Sequence, residues 1–305
     1  MPQRLLIHIG YHKTATTWMQ RLLFFPVHGF HPLANHDQVS EHITAPHGLQ
    51  FDPAPMKRLI ADGMKSVPPN GVPVVSSELM TGNPFFGGRE SDVYADRIKA
   101  IAPNARILIS IRAQLRILPS IYMQYLTRGG TMSWQQFFEA PAARGYFGFD
   151  LAHFEYDRLV ALYQSLFGGE NVYVLPQESI AADMEAAAQR LAEFCENTAF
   201  HGLSQEAHQI RMASYPEHAA PFLRRANHLQ RSVLLPNPVF KVGETPGGLY
   251  KAVGYVLKMP ALARRLKAHQ PVSRYVQDRF TGRFADSNAR LAALTGGTLD
   301  LSKYR

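Results

Sequence analysis

Cysteine is almost absent from the sequence. The 305 residues contain one, Cys195, which excludes an intramolecular disulfide framework and any metal site built from several cysteines. Cys195 follows the residues LAEF in a stretch typical of a helix, where a free thiol usually acts as a small buried apolar side chain. This composition fits a reducing compartment.

Long apolar runs are missing as well. No stretch reaches the roughly 18 continuous apolar residues that a membrane-spanning helix needs. Residues 5–9 are apolar, but the run is too short for the core of a signal peptide, and Gly10 and Lys13 follow at once. We therefore expect a soluble protein of the cytoplasm.

Acidic residues are fewer than basic ones: the sequence has 24 Asp and Glu and 32 Lys and Arg, which gives a net charge of +8. A basic balance suits an anionic ligand such as a nucleotide, a nucleic acid, an acidic glycan or an anionic membrane. No basic run interleaved with aromatics and no nucleic-acid motif is present, so we expect no nucleic-acid partner. Seven of the 13 histidines lie in the first fifty residues, but their spacing matches no standard zinc pattern and favours a polar loop beside a substrate site over a metal site.

The order of strand-like and helix-like segments predicts an α/β fold. Four short apolar segments resemble buried strands, at residues 4–9, 72–77, 106–111 and 171–175. Segments with helical periodicity separate and follow them, at residues 14–25, 55–67, 91–102, 154–167 and 180–195, and a further helix has Pro119 in its first turns and runs to about residue 127. This alternation predicts a three-layer, doubly wound parallel sheet. Beyond residue 197 we expect helices only, near 217–230 and 274–294, so that one domain combines a nucleotide-binding core (1–197) with a helical lid and cladding (198–305).

The first predicted strand leads into a loop with the chemistry of a phosphate site. Gly10 allows a tight turn, and the amides of residues 12–17 then open a helix, where unpaired N–H groups and the helix dipole attract phosphate. Lys13 adds a positive charge, and three threonines add hydroxyl donors. An ATP-type P-loop would need G-x-x-x-x-G-K-[ST], whereas Lys13 comes three residues after a lone glycine.

A second anion site is predicted at the end of the strand 106–111. Arg112 follows that strand and Ser120 lies eight residues later, in the first turns of the next helix. A guanidinium at the carboxyl edge of a parallel sheet can hold a phosphate through two hydrogen bonds, and the serine can add another.

Together these two motifs resemble the nucleotide site of the PAPS-dependent sulfotransferases, in particular their bacterial branch. GYHKTATTW at residues 10–18 resembles the family's 5'-phosphosulfate loop (Y-P-K-[ST]-G-T-T-W), with His12 in place of proline and Ala15 in place of glycine. Arg112 and Ser120 resemble its 3'-phosphate signature, and weaker similarity extends over residues 156–197 and 283–288.

The resemblance implies a P-loop-nucleotide-kinase-like sulfotransferase fold and 3'-phosphoadenosine-5'-phosphosulfate (PAPS) as sulfuryl donor, with no metal required. It assigns nucleotide contacts to Gly10, Tyr11, Thr14, Ala15, Thr16, Thr17, Arg112 and Ser120, places Trp18 against adenine, and suggests Arg211 as a residue that closes over the nucleotide.

The predicted chemistry needs a positive charge on the leaving phosphate and a base for the acceptor. Lys13 can supply the charge. Glu78, which directly follows the strand 72–77, is the candidate general base, because a carboxylate at that edge is costly unless it is paired or functional. His12 is the alternative base. The acceptor is a hydroxyl or amine on a small molecule, lipid or glycan, and we expect its pocket to come from residues 25–60, 79–95 and 125–150.

Two other functions stay open from the sequence. A kinase-like phosphotransferase of the same fold class would bind ATP with magnesium. A non-catalytic nucleotide or membrane-surface protein is suggested by residues 249–269, which are basic, apolar and interrupted by Pro260; this segment also allows peripheral contact with a membrane.

Overall fold

The computed structural model describes residues 3–139, 147–209, 216–238, 240, 242–257, 266 and 268–304. Its centre is a sheet of five parallel strands, which are β1 (Leu6–His8), β2 (Phe30–Ala34), β3 (Val72–Ser76), β4 (Arg106–Ile111) and β5 (Val172–Pro176). Their order in space is β2-β3-β1-β4-β5, and every neighbouring pair is parallel. The prediction of a doubly wound parallel sheet is therefore confirmed.

Both faces of the sheet are buried. Alternate residues of β1 belong to different apolar clusters: Leu6 packs with Val74 and Leu108 on one face, and Ile7 packs with Ile107 on the other. A parallel sheet with helices on both faces needs apolar residues at successive positions, which explains why its central strands are continuous apolar runs.

Helices flank the sheet on both sides. In chain order they are α1 (Thr16–Trp18, continued by a π-helical turn, Met19–Leu23), α2 (His36–Val39), α3 (Ala54–Met64), α4 (Ser91–Ile101), α5 (Gln114–Thr127), α6 (Trp134–Phe138), α7 (Tyr156–Phe167), α8 (Gln177–Ala182), α9 (Met184–Phe194), α10 (Ala220–Asn227), α11 (Gly248–Leu257), and two further helices, Pro271–Phe280 and Ala285–Leu294.

Two predicted helices are each divided in the structure. The segment 180–195 is interrupted at Asp183, which has an extended backbone. The Asp183 carboxylate caps α9 by accepting a hydrogen bond from the N–H of Ala186 at 2.9 Å. The segment 274–294 is interrupted next to Gly282, which has a left-handed backbone (φ 78°). Both breaks come from local capping chemistry that helical periodicity does not register.

Strand β2 is a finding that the sequence analysis missed. Its residues, FHPLA, include a proline, which argues against a central strand. The structure places β2 at the edge of the sheet, where one side of the strand needs no ladder partner, and its register with β3 shifts between Pro32 and Ala34. Proline is tolerated there because of that edge position.

The described part of the chain beyond residue 197 contains helices and one isolated bridge, Arg231 with Glu244. The helices Pro271–Phe280 and Ala285–Leu294 pack on α5 and α7, respectively. Among the described residues, no helix is long and apolar enough to cross a membrane.

Candidate functional site

Gly10 is required by crowding at the end of β1. A Cβ on this residue would lie 1.9 Å from the hydroxyl oxygen of Ser110 and 2.5 Å from Nε2 of His8, while its own φ lies outside the left-handed region. The expected role of Gly10, to permit a tight turn, is thus corrected. Its missing side chain lets the loop pass directly over the side chains of β1 and β4.

The turn itself is made by Lys13 and Ala15. Both have left-handed backbones, with φ of 68° and 67°, a conformation that costs a residue with a Cβ about 1–2 kcal/mol. Thr14, between them, is fully buried and secures the loop: its hydroxyl donates to the Tyr11 carbonyl (2.5 Å) and lies 2.7 Å from the hydroxyl of Ser110. The alanine noted as a departure from the sulfotransferase pattern therefore occupies a position that favours glycine.

We expect Ala15→Gly to raise the free energy of unfolding by about 1 kcal/mol, because glycine adopts the left-handed region without strain. Ala289→Gly is the matched control, since Ala289 is exposed within the helix Ala285–Leu294, where glycine should lower stability by about 1 kcal/mol. Denaturant unfolding measures both, and equal signs for the two variants would contradict the expected strain at Ala15.

A cavity of about 270 Å³ opens beside this loop, at the carboxyl edge of the sheet. The residues that line it come from the loop, from α1, from the segments just after β3 and β4, and from α5 and α8: His12, Lys13, Ala15, Thr16, Thr17, Trp18, Glu78, Arg112, Gln124 and Gln177. Both sequence motifs contribute to it. The Arg112 guanidinium donates from Nη1 to the Lys13 carbonyl (3.3 Å) and to the hydroxyl of Ser120 (3.1 Å), so the two anion signatures meet at one place.

Arg112 is held by residues that the sequence analysis did not select. The hydroxyl of Tyr156 donates to the Arg112 carbonyl at 2.6 Å. Glu178 accepts the N–H of Ala113 (3.2 Å) and the hydroxyl of Tyr304 (3.0 Å). Burial lowers the pKa of Arg112, and the charge of Glu178 opposes this effect. No local pattern identifies these partners, because they come from α7, α8 and the far end of the described chain.

Glu78 begins the short turn that follows β3. Its carboxylate accepts a hydrogen bond from the side-chain amide of Gln20 (3.1 Å). Burial alone would raise the pKa of Glu78, but its own backbone N–H, the nearby His12 and the Gln20 amide outweigh burial and bring the pKa below its ordinary value. Glu78 is therefore a carboxylate at neutral pH, as a general base must be.

His12 and Lys13 lie in the same cavity and share its low solvation. Burial lowers the pKa of His12 to about 4 against the opposing charge of Glu78, so the ring is neutral at pH 7. Its Nδ1 lies 3.3 Å from the Gln124 amide, and its buried Nε2 has no hydrogen-bond partner among the described residues. Burial also lowers the pKa of Lys13, and Arg112 adds to that effect. An anion bound between Lys13 and Arg112 would relieve this electrostatic cost.

A hydrogen-bond chain, partly buried near Glu78 and buried beyond His8, joins Glu78 to the loop of residues 10–15. From the Gln20 amide that contacts Glu78 it passes to the hydroxyl of Ser76 (3.2 Å), and then to Nδ1 of His8 (2.8 Å). Nε2 of His8 continues it to the hydroxyl of Ser110 (3.0 Å), which contacts Thr14. Burial lowers the pKa of His8 to about 4. The sequence analysis missed His8, although a histidine inside the apolar run RLLIHI needs a buried partner and is a usable signal.

The remaining predicted site residues differ in how they meet the cavity. Thr16 and Thr17 line it. The Tyr11 ring packs in the core against His153 and Tyr156, at 4.9 and 4.7 Å between ring centroids. Trp18 lines the cavity but is otherwise buried, and its indole N–H donates to the Ala207 carbonyl at 2.8 Å.

Arg211, the residue suggested to close over the nucleotide, lies outside the described residues. Within the described ranges, no group of three or more His, Cys, Asp or Glu side chains is placed to hold a metal ion. The functional roles assigned from the sequence stay predictions.

The family model described as the sulfotransferase family matches residues 90–201, a segment that includes Arg112 and Ser120. A sulfotransferase from Alicyclobacillus acidocaldarius has a similar crystal structure, with a TM-score of 0.56, 17% sequence identity, and coverage of 100% of both chains. A mouse sulfotransferase solved in complex with PAP aligns with a TM-score of 0.39 and 11% identity over 91% of this chain and 90% of that chain.

A search of the curated proteins finds no match. The match to the family model includes the second of the two motifs, Arg112 and Ser120, and the fold is shared with the bacterial enzyme. Residues 90–201 are thus similar to the sulfotransferase family, and the chain shares its fold with the bacterial sulfotransferase.

Proposed function

We propose that the protein transfers a sulfuryl group from PAPS to a hydroxyl or amine acceptor. One observation carries the proposal: the Arg112 guanidinium bridges the Lys13 carbonyl and the Ser120 hydroxyl. Two phosphate-binding signatures, nearly a hundred residues apart in sequence, thus lie together, as a nucleotide with a 5'-phosphosulfate and a separate 3'-phosphate requires.

The residues of the cavity fit this donor. Lys13, with the backbone and hydroxyl groups of Thr16 and Thr17, offers positive charge and donors to the phosphosulfate end. Arg112 and Ser120 offer donors to the 3'-phosphate. Trp18 and Gln177 line the same cavity, so an aromatic face and an amide are available to the base or ribose.

The transfer needs an in-line exchange at sulfur. The acceptor oxygen or nitrogen forms the new bond to sulfur, the bond from sulfur to the phosphate oxygen breaks, and the electron pair of that bond stays on the phosphate. Lys13 meets the charge that grows on this leaving oxygen. Glu78, which is ionised at neutral pH, takes the acceptor proton. His12 is the second candidate for the proton, because its neutral ring lines the same cavity.

We expect the protein to bind 3'-phosphoadenosine 5'-phosphate (PAP) far more tightly than AMP, because only PAP carries the 3'-phosphate. Each charge-assisted contact contributes about 1.5–3 kcal/mol, so the preference should reach at least about tenfold. Titration calorimetry measures both affinities, and Ser120→Ala should reduce the preference while leaving AMP binding unchanged. Equal affinity for the two nucleotides would remove the assigned 3'-phosphate site.

The same titration addresses the kinase-like alternative from the sequence analysis. A phosphotransferase would bind ATP in a magnesium-dependent manner and would not distinguish PAP from AMP. Tight, magnesium-independent PAP binding is the result that the sulfotransferase proposal requires.

A further inference from the structure

A second, larger cavity lies beside the nucleotide cavity. It has a volume of about 480 Å³ and sits between residues 20–25, at the end of the helical segment 16–23 and just beyond it, and the carboxyl ends of β2 and β3. Cavities of roughly 300–1,000 Å³ are typical of small-molecule sites. In open parallel sheets ligands bind beyond the carboxyl ends of the strands, so both the size and the position suit a substrate.

The wall of this cavity is apolar with neutral polar groups. Phe24, Phe25, Pro32 and Val74 provide carbon surface, and amide and hydroxyl groups from Gln20, Asn35, Gln38 and Ser76 interrupt it. One histidine, His36, lines it, and the described residues around it include no Asp, Glu, Lys or Arg. The Lys and Arg residues that give the chain its net charge of +8 thus lie outside the described wall of this cavity.

Gln20 connects the two cavities. Its side chain lines the larger one, and its amide contacts both Ser76 (3.2 Å) and the Glu78 carboxylate (3.1 Å). Glu78 in turn lines the nucleotide cavity. A hydroxyl group that reached past Gln20 from the larger cavity would therefore meet the candidate base and the donor site together.

We infer that the larger cavity holds the body of the acceptor, and that the acceptor is an uncharged, mainly apolar alcohol or phenol. The inference rests on the proposed sulfuryl transfer and narrows its acceptor. A carboxylated or sulfated glycan would bring anions into a wall that offers no cationic partner of fixed charge, and burying an unpaired anion is costly.

Binding of two matched probes tests the inference. 2-Naphthol is neutral and carries a single hydroxyl, and 6-hydroxy-2-naphthoate adds one carboxylate to the same ring system. We expect 2-naphthol to bind at least about tenfold more tightly than the carboxylate. Phe25→Glu places a carboxylate on the rim, since Phe25 is 44% exposed, and should weaken 2-naphthol binding by at least about tenfold with unchanged affinity for PAP.

Phe222→Glu is the matched control, because Phe222 is 49% exposed on α10 and does not line the cavity. It should leave the affinities for both 2-naphthol and PAP unchanged. If Phe25→Glu binds 2-naphthol as the unmodified protein does, or if the two probes bind equally, the inferred acceptor site is wrong. If 2-naphthol behaves as expected but PAP does not bind, the proposed sulfuryl transfer fails while the assignment of this cavity to neutral ligands stands.

Discussion

Lys13→Ala is expected to lower kcat by about 10²–10³-fold or more, the range seen when one donor to a developing negative charge is removed. Nucleotide affinity should fall much less, because Arg112, Ser120 and the loop amides remain. The reason is that the charge on the leaving phosphate grows in the transition state, so its loss appears in kcat more than in binding. Single-turnover rates and PAP titration separate the two effects.

The substitution Lys13→Ala removes the charge of the side chain and leaves the backbone strain of the loop nearly unchanged. Alanine has the same conformational preferences as lysine at the left-handed backbone of residue 13 (φ 68°), so loop strain stays nearly the same. Lys65→Ala, at an exposed lysine that pairs with Asp62, serves as the control and should leave kcat unchanged. A Lys13→Ala protein with near-normal kcat would exclude Lys13 from the transition state.

Glu78→Gln is expected to reduce turnover by about 10²–10⁴-fold, the usual contribution of a positioned general base. Glutamine keeps the size of the side chain and can still accept the hydrogen bond from Gln20, so PAP affinity should persist. In the unmodified protein the pKa of Glu78 is lowered; a base with a lowered pKa stays deprotonated to lower pH. The acidic fall of kcat should therefore lie below the ordinary glutamate pKa of about 4.3.

The pH profile alone does not separate Glu78 from His12, because burial also brings the pKa of His12 to about 4. The turnover of the two variants Glu78→Gln and His12→Asn distinguishes the two candidate bases. If Glu78 is the base, Glu78→Gln loses turnover and His12→Asn keeps most of it. The reverse pattern would assign the proton to His12 and leave Glu78 a structural role at the end of β3.

The fold and the core of the site could be predicted because their signals are local. Buried parallel strands are short apolar runs, and a charged residue shortly after such a run lies at the ligand edge. Lys13, Glu78 and Arg112 all follow that rule, and the structure brings them to one cavity.

The features that could not be predicted from the sequence depend on contacts between distant segments. β2 was missed because its residues, FHPLA, form no continuous apolar run, and its edge position is a property of the whole topology. Tyr156 contacts the Arg112 carbonyl from 44 positions away in the sequence. Glu178 contacts the neighbouring Ala113 from 65 positions away. The need for glycine at residue 10 was apparent from the sequence, but its cause, the hydroxyl of Ser110, comes from β4.

The central position of β1 has a consequence for how the protein is made. Its partners β3 and β4 begin at Val72 and Arg106, so a ribosome that adds about 5–20 residues per second delivers the second partner some 5–20 s after β1. During that interval β1 has β3 as a partner on one side only, and the loop of residues 10–15 lacks Ser110, the serine that secures it. The cavity beside this loop can therefore form only after β4 and Arg112 have left the ribosome.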